Sequence, residues 1–338
     1  MSKKFFEMFL GFAACLCLIQ PVYASKGNMD VNLYTSCISL IVCCVILFAG
    51  VVYLWIKLKN TRRKFALTEM VSVSSDTTED EETILLKQIE EGFKNEEFKM
   101  YLQFIVDNKT KKIVSAEALS RWESASGDII PPVKYIGVME KYGLISRLDY
   151  YMLEMACRKL NEWKDTEFDH LAISCNFTRI TISEKDFVDK INDISSKYDF
   201  DKSKLQIEIT EDSVEKNLNR AMDNIHKAKE LGFRIALDDI GSGYTSFISL
   251  CEYPIDVVKL DRDVLLKTEE EIGKKLFHGI VSLARYLNLR VVCEGVETEG
   301  QNTLVSESEC DYIQGWYYSK ALSVEKAEEF FREYMKRF

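Results

Sequence analysis

Between residues 99 and 313, eight short runs of β-favouring residues alternate, for the most part, with stretches of helical periodicity. The runs are Lys99–Val106, Ile113–Trp122, Leu171–Cys175, Leu205–Ile209, Phe233–Leu237, Val257–Leu260, Arg290–Cys293 and the residues around Tyr312–Ile313. Amphipathic helices are expected between most of them, for instance Ser146–Trp163 and Val214–Leu231. Strand and helix alternating over a length near the ~250 residues typical of the architecture predict an α/β fold, a TIM-like (β/α)8 barrel. The first two runs break the pattern, because only Asp107-Asn108-Lys109-Thr110-Lys111 lies between them. A parallel crossover needs roughly a dozen residues or more, so these two strands must form an antiparallel hairpin, and the barrel is expected to be modified at its first strand.

The chain ahead of the barrel has a different character. Residues 1–24 carry Lys3 and Lys4, an apolar stretch through Ile19, then Pro21 and the ending Val22-Tyr23-Ala24. This is the pattern of a signal peptide or, given Glu7 inside the apolar part, of a first membrane span. Residues 31–56 carry no charge at all, and the run exceeds the roughly 20 residues that cross a bilayer as a helix. Lys57, Lys59, Arg62, Arg63 and Lys64 follow at once, a basic cluster that stays on the cytoplasmic side. The expected layout is a transmembrane helix at 31–56, a basic then acidic linker at 57–82, and a catalytic domain at 83–338 in the cytoplasm, held at the cytoplasmic membrane.

Composition removes several classes. A net charge of −10 argues against nucleic-acid binding, which works through basic surfaces. The ten cysteines include no CxxC pair, and the three histidines are dispersed, so a zinc or redox site is not expected.

Barrel enzymes carry their chemistry at the C-terminal ends of the strands. Taken in order, those ends offer Glu117 with Arg121 beyond it, Asn176, Glu208, the pair Asp238 and Asp239, Lys259 with Asp261, Glu294 with Glu297, and Gln314. Adjacent carboxylates such as Asp238 and Asp239 repel, and a bound cation is the economical way to keep both ionised. The glycines of Gly241-Ser242-Gly243 let the backbone turn sharply just beyond them. Oxygen ligands without Cys or His suit hard cations, Mg²⁺ or Mn²⁺, and so many carboxylates have room for a two-metal site of the kind that serves phosphoryl chemistry. Lys259 among acids should remain protonated, either to neutralise charge on phosphorus and orient water, or as a structural ion pair to Asp261 or Glu294. Arg121 has the planar fork that suits a phosphate. The residues alone thus point to a metal-dependent phosphoesterase.

The same residues stand in motifs. Glu117-Ala118-Leu119-Ser120-Arg121-Trp122, Cys175-Asn176-Phe177-Thr178, Glu208-Ile209-Thr210-Glu211, Asp238 to Tyr244, Lys259-Leu260-Asp261, Glu294-Gly295-Val296-Glu297-Thr298 and Gln314-Gly315 follow one another in this order. Together they resemble the EAL domain family of cyclic di-GMP phosphodiesterases, over roughly Glu82 to Phe338. The resemblance implies that Glu117, Asn176, Glu208 and Asp238 ligate a first metal, with Asp238 shared to a second that also uses Asp239. It implies that Lys259 and Glu294 position or deprotonate water, with Asp261 and Glu297 in support, and that Gln103, Leu119, Arg121 and Gln314 hold the substrate. Glu211 would anchor the loop after Asp239, through which a homodimer is expected. The implied reaction opens cyclic di-GMP to linear pGpG; the alternative is a receptor that binds cyclic di-GMP without hydrolysing it. Phe104, Ile240, Ser242 and Ala321 depart from the family pattern, and none of them is a ligand.

Overall fold

The computed structural model describes residues 81–210, 218–241 and 253–338. The expected leader or first span at 1–24, the membrane helix at 31–56, the linker through residue 80, Glu211 and the loop from Ser242 to Tyr244 lie outside the described residues. Among the described residues no helix is long and apolar enough to cross a membrane.

Ten strands are described: β1 Phe98–Asp107, β2 Ile113–Glu123, β3 Ile129–Ile130, β4 Ala172–Phe177, β5 Leu205–Thr210, β6 Arg234–Ile240, β7 Val257–Leu260, β8 Arg290–Cys293, β9 Tyr312–Gln314 and β10 Leu322–Ser323. They run β10-β1-β9-β8-β7-β6-β5-β4-β2-β3, and a further β1–β2 pairing closes a ring of eight, with β3 and β10 outside it. β1 is antiparallel to both β2 and β9, whereas β2, β4, β5, β6, β7, β8 and β9 follow one another in parallel. The modified barrel and its inverted first strand therefore stand as the sequence predicts. The short loop explains the inversion. Asp107 Oδ1 accepts from Lys109 N and Thr110 N at 3.1 and 2.7 Å, and Lys111, at φ 57°, turns the chain back.

Around the ring pack α1 (81–94), α2 Ile136–Lys141, α3 Ile145–Trp163, α4 Arg179–Ile182, α5 Phe187–Ser195, α6 Leu218–Glu230, α7 Arg262–Leu266, α8 Glu271–Tyr286, α9 Glu299–Ser306 and α10 Val324–Met335. In α3 the buried positions Ile145, Leu148, Met152, Leu153, Ala156, Leu160 and Trp163 recur at helical spacing and press the helix onto the strands. The main apolar core lies between helices and sheet, and β7 (VVKL), buried at every position, reads as a parallel strand covered on both faces. A second, small cluster of Ile105, Ala236, Val257 and Val292, with Tyr312 against it, fills the barrel interior. Phe104, where the family pattern has proline, is buried and packs on Phe330 with ring centroids 5.9 Å apart.

Of the eight expected strands, β6 departs furthest from expectation. β6 does not stop at Leu237 but runs to Ile240, and its register with β7 shifts between Leu237 and Ile240. Asp239 sits in this bulge at φ 61°, in the left-handed region. A bulge inserts a residue and re-aims the side chains beside it, so the strand continues through two carboxylates that a regular ladder would send to opposite faces.

Candidate active site

Side chains two apart on a strand share a face, so the interior plug fixes the layer above it. On from Ala236, Val257, Val292 and Tyr312 come Asp238, Lys259, Glu294 and Gln314; before Ile105 on the inverted β1 comes Gln103. β2, β4 and β5 bring Glu117, Asn176 and Glu208, with Glu117 opposite Gln103 and Asn176 opposite Glu208 in register.

Lys259 is the hub. Its Nζ lies 2.7 Å from Glu294 Oε1, 2.8 Å from Glu208 Oε2, 3.3 Å from Glu117 Oε2 and 3.5 Å from Asp238 Oδ1. Of the two ion-pair partners expected for it, Glu294 is present. Asp261 instead accepts from Asp263 N at 2.6 Å and caps α7. Glu117 is held from both sides: Asn176 Nδ2 donates to its Oε1 and Gln314 Nε2 to its Oε2, each at 2.7 Å. Asp239 N donates to Asp238 Oδ1 at 2.9 Å.

The electrostatics follow from one ammonium shared among several acids. Burial opposes the Lys259 charge, but Glu117, Glu208, Glu294 and Asp238 outweigh it and hold the amine well above its ordinary pKa. Burial also opposes the Glu117 charge, yet Lys259, Gln314 and Asn176 bring its pKa below the ordinary value. The others are less favoured. Burial raises Glu208 to about 7 against the pull of Lys259, and raises Glu294 well above the usual carboxylate range. Burial, then the neighbouring Asp238 and Asp261, raise Asp239 to about 6. Asp238 itself is raised, chiefly by burial.

This chemistry bears on the expected metals. Among the described residues no group of three or more His, Cys, Asp or Glu is already disposed around a cation, because the carboxylates converge on Lys259. Yet the acids outnumber the ammonium, and one buried oxygen beside them, Gln314 Oε1, has no hydrogen-bond partner. An all-oxygen set with unneutralised negative charge fits a hard divalent cation, and Glu117, Asn176, Glu208, Asp238 and Asp239 are the residues that would hold it.

The remaining expected residues lie on the surrounding rim or apart from the hub. Arg121 Nη1 donates to Ser120 O at 2.8 Å, and its guanidinium lies 5.8 Å from the Tyr101 ring centre. Leu119 stands opposite Tyr101 on the hairpin, and Gln103 Nε2 donates to Ser319 O at 3.2 Å. Glu297 pairs with Arg262 at 3.0 Å. Sequence reasoning passed over Gln206, whose Nε2 donates to Glu208 Oε1 at 3.2 Å. The signal was present, since Gln206 precedes Glu208 by one strand period.

Residues 86–321 match the EAL domain family, and the chain belongs to it. It is 32% identical over 257 residues to the signaling protein YkoW of Bacillus subtilis, covering 75% of this chain and 32% of that one. It is 27% identical over 249 residues to the cyclic di-GMP phosphodiesterase NbdA of Pseudomonas aeruginosa, covering 73% and 32%. The chain thus spans about a third of the length of these relatives. Among solved structures, the PaMucR phosphodiesterase in complex with c-di-GMP is similar at a TM-score of 0.68 and 26% identity, covering 72% of this chain and 99% of that one.

Proposed function

We propose that this protein is a metal-dependent phosphodiesterase that hydrolyses cyclic di-GMP to linear pGpG and so lowers the level of a bacterial second messenger. The observation that carries the reading is the convergence of Glu117, Glu208, Asp238 and Glu294 on a buried Lys259 at the strand ends, within a family whose named relatives include cyclic di-GMP phosphodiesterases.

Mg²⁺ or Mn²⁺, two ions in the full site, would polarise the phosphoryl oxygens and lower the pKa of water. Glu117, Asn176, Glu208, Asp238 and Asp239 are the ligands in this reading. The bond that forms joins water oxygen to phosphorus, and the bond that breaks joins phosphorus to one ribose O3′, which takes a proton from solvent water as it leaves. Glu294, held by Lys259 at 2.7 Å, receives the proton of the attacking water, and Lys259 offsets the charge that builds on phosphorus. Arg121 binds the phosphate through paired donors, and Gln103, Leu119 and Gln314 line the substrate.

Residues 31–56 anchor the domain at the cytoplasmic membrane in this account, with the catalytic domain at 83–338 facing the cytoplasm. The loop after Asp239, with Glu211 as its anchor, joins two copies in a homodimer. Incubating the full chain with cyclic di-GMP and Mn²⁺, and resolving the products by chromatography, tests the reading. Linear dinucleotide that disappears with EDTA and in Glu117→Ala supports it. Nucleotide that binds and stays intact makes the protein a receptor instead.

A further inference from the structure

Asp149 occupies a position of the α3 stripe otherwise filled by apolar side chains, and it is 6% exposed. Its Oδ2 accepts three hydrogen bonds, from Thr178 N at 3.0 Å, Thr178 Oγ1 at 2.9 Å and Thr181 Oγ1 at 2.5 Å. Thr178 immediately precedes α4, and its own side chain does not cap that helix. A carboxylate from a different helix supplies the acceptor that a helix start requires. At the other end of the same segment, the buried Asn224 of α6 donates through Nδ2 to Ile182 O at 2.7 Å and Glu184 O at 2.8 Å. The chain from Thr178 to Glu184 is thereby clamped by side chains from two flanking helices.

This segment begins just beyond Asn176. The β4–β5 ladder ends at the pair Phe177–Ile209, so nothing in the sheet fixes the backbone beyond it. Asn176 stands one residue inside the end of that ladder and presents its amide to Glu117 at 2.7 Å. The Asp149 partners are all uncharged groups, and a carboxylate buried among uncharged groups costs more than an apolar side chain packed in the same stripe. Packing alone gives no reason for an acid here.

We propose that Asp149 is a positioning residue for the metal site: by fixing Thr178 it holds Asn176 in the orientation that serves both Glu117 and a divalent cation, with Asn224 fixing the far end of the turn. The proposal rests on the metal-dependent reading above. Ligand-orienting partners outside a coordination shell are typically worth roughly 10–100-fold in metal affinity.

The test follows free Mn²⁺ by electron paramagnetic resonance during titration of the full-length protein, a readout independent of turnover. Asp149→Ala is expected to weaken Mn²⁺ binding by about 10–100-fold, and Asp149→Asn, which keeps an acceptor oxygen, to restore most of it. Asp311→Ala is the control. It removes the partner of Arg285 and Arg290 at the N-terminal ends of β8 and β9, and should lower thermal stability without altering Mn²⁺ affinity. Should Asp149→Ala not fold, Thr178→Val removes one of the three bonds and is expected to show a smaller loss in the same direction. Wild-type affinity in a folded Asp149→Ala protein overturns the proposal, as does an equal loss in Asp311→Ala. If the wild type takes up no Mn²⁺, the metal-dependent reading falls. The positioning role then rests on the Asn176 side-chain amide resonance, which must shift in Asp149→Ala and overturns the proposal if it does not.

Discussion

Lys259 Nζ lies 2.8 Å from Glu208 Oε2, and neither side chain is more than 1% exposed. A charge pair taken this far from water is costly to form and more costly to break, since removing one member strands the other. Here Glu117, Asp238 and Glu294 share the same ammonium, so its loss strands several carboxylates together.

Lys259→Met keeps the length of the side chain and removes the charge. It is expected to destabilise the metal-free protein by about 3–5 kcal/mol and to abolish turnover. Added Mn²⁺ should return part of the lost stability, because it supplies the missing positive charge. Urea unfolding with EDTA and with Mn²⁺ measures both effects.

Glu208 gives a pH dependence of definite sign. Burial raises its carboxyl from 4.5 to about 7 in the folded protein, so between those values the folded state binds more protons than the unfolded chain. Its contribution to stability is fully present below the unfolded value and is lost as pH rises through about 7. Metal-free wild type should therefore lose stability relative to Glu208→Gln between about pH 5 and about pH 7.5, as measured by urea unfolding in EDTA at each pH. A difference that stays constant across that window would contradict the account. Mn²⁺ selects the ionised ligands, so its binding near neutral pH should release protons, which calorimetry in two buffers of different ionisation enthalpy detects.

Arg121 is expected to hold phosphate through two parallel donors. Arg121→Lys keeps the charge but not the fork, and a lost charge-assisted bond of about 1.5–3 kcal/mol weakens nucleotide binding roughly tenfold to hundredfold. Mn²⁺ affinity should not change. Titration of cyclic di-GMP into metal-loaded protein, under conditions that block turnover, gives the comparison.

Gly315 follows Gln314 where the chain passes close to Val296. A Cβ there would stand 2.1 Å from Val296 O and 2.4 Å from Val296 N, both backbone atoms that cannot swing aside. Gly315→Ala should cost about 1–3 kcal/mol and pull Gln314 from Glu117, lowering turnover more than a surface substitution of equal stability cost. Thermal unfolding and steady-state rates of the two variants decide this.

The barrel was legible because its strands announce themselves in two ways. Val257–Leu260 and Arg290–Cys293 are short, apolar and bounded by polar turns, and the structure places them at the same residues. The five-residue connection after Asp107 dictated the antiparallel hairpin through chain length alone. The β6 bulge was not legible, because two adjacent aspartates look like a strand terminus. Only the pairing with β7 shows the ladder resuming at Ile240. The partners of Lys259 depend on barrel closure, which brings Glu117 to it across 142 residues of sequence. Asp149 was hidden for a different reason. An acid inside a helical stripe reads as the polar edge of that stripe, until the fold puts Thr178 and Thr181 against it.

The most direct test of the central claim is product analysis on the full-length protein with cyclic di-GMP, with Mn²⁺ or Mg²⁺ and again with EDTA, beside Glu117→Ala. The account predicts linear pGpG with either metal in the wild type, and none with EDTA or in the variant. Intact cyclic di-GMP bound to the metal-loaded wild type would contradict it and assign the barrel to sensing.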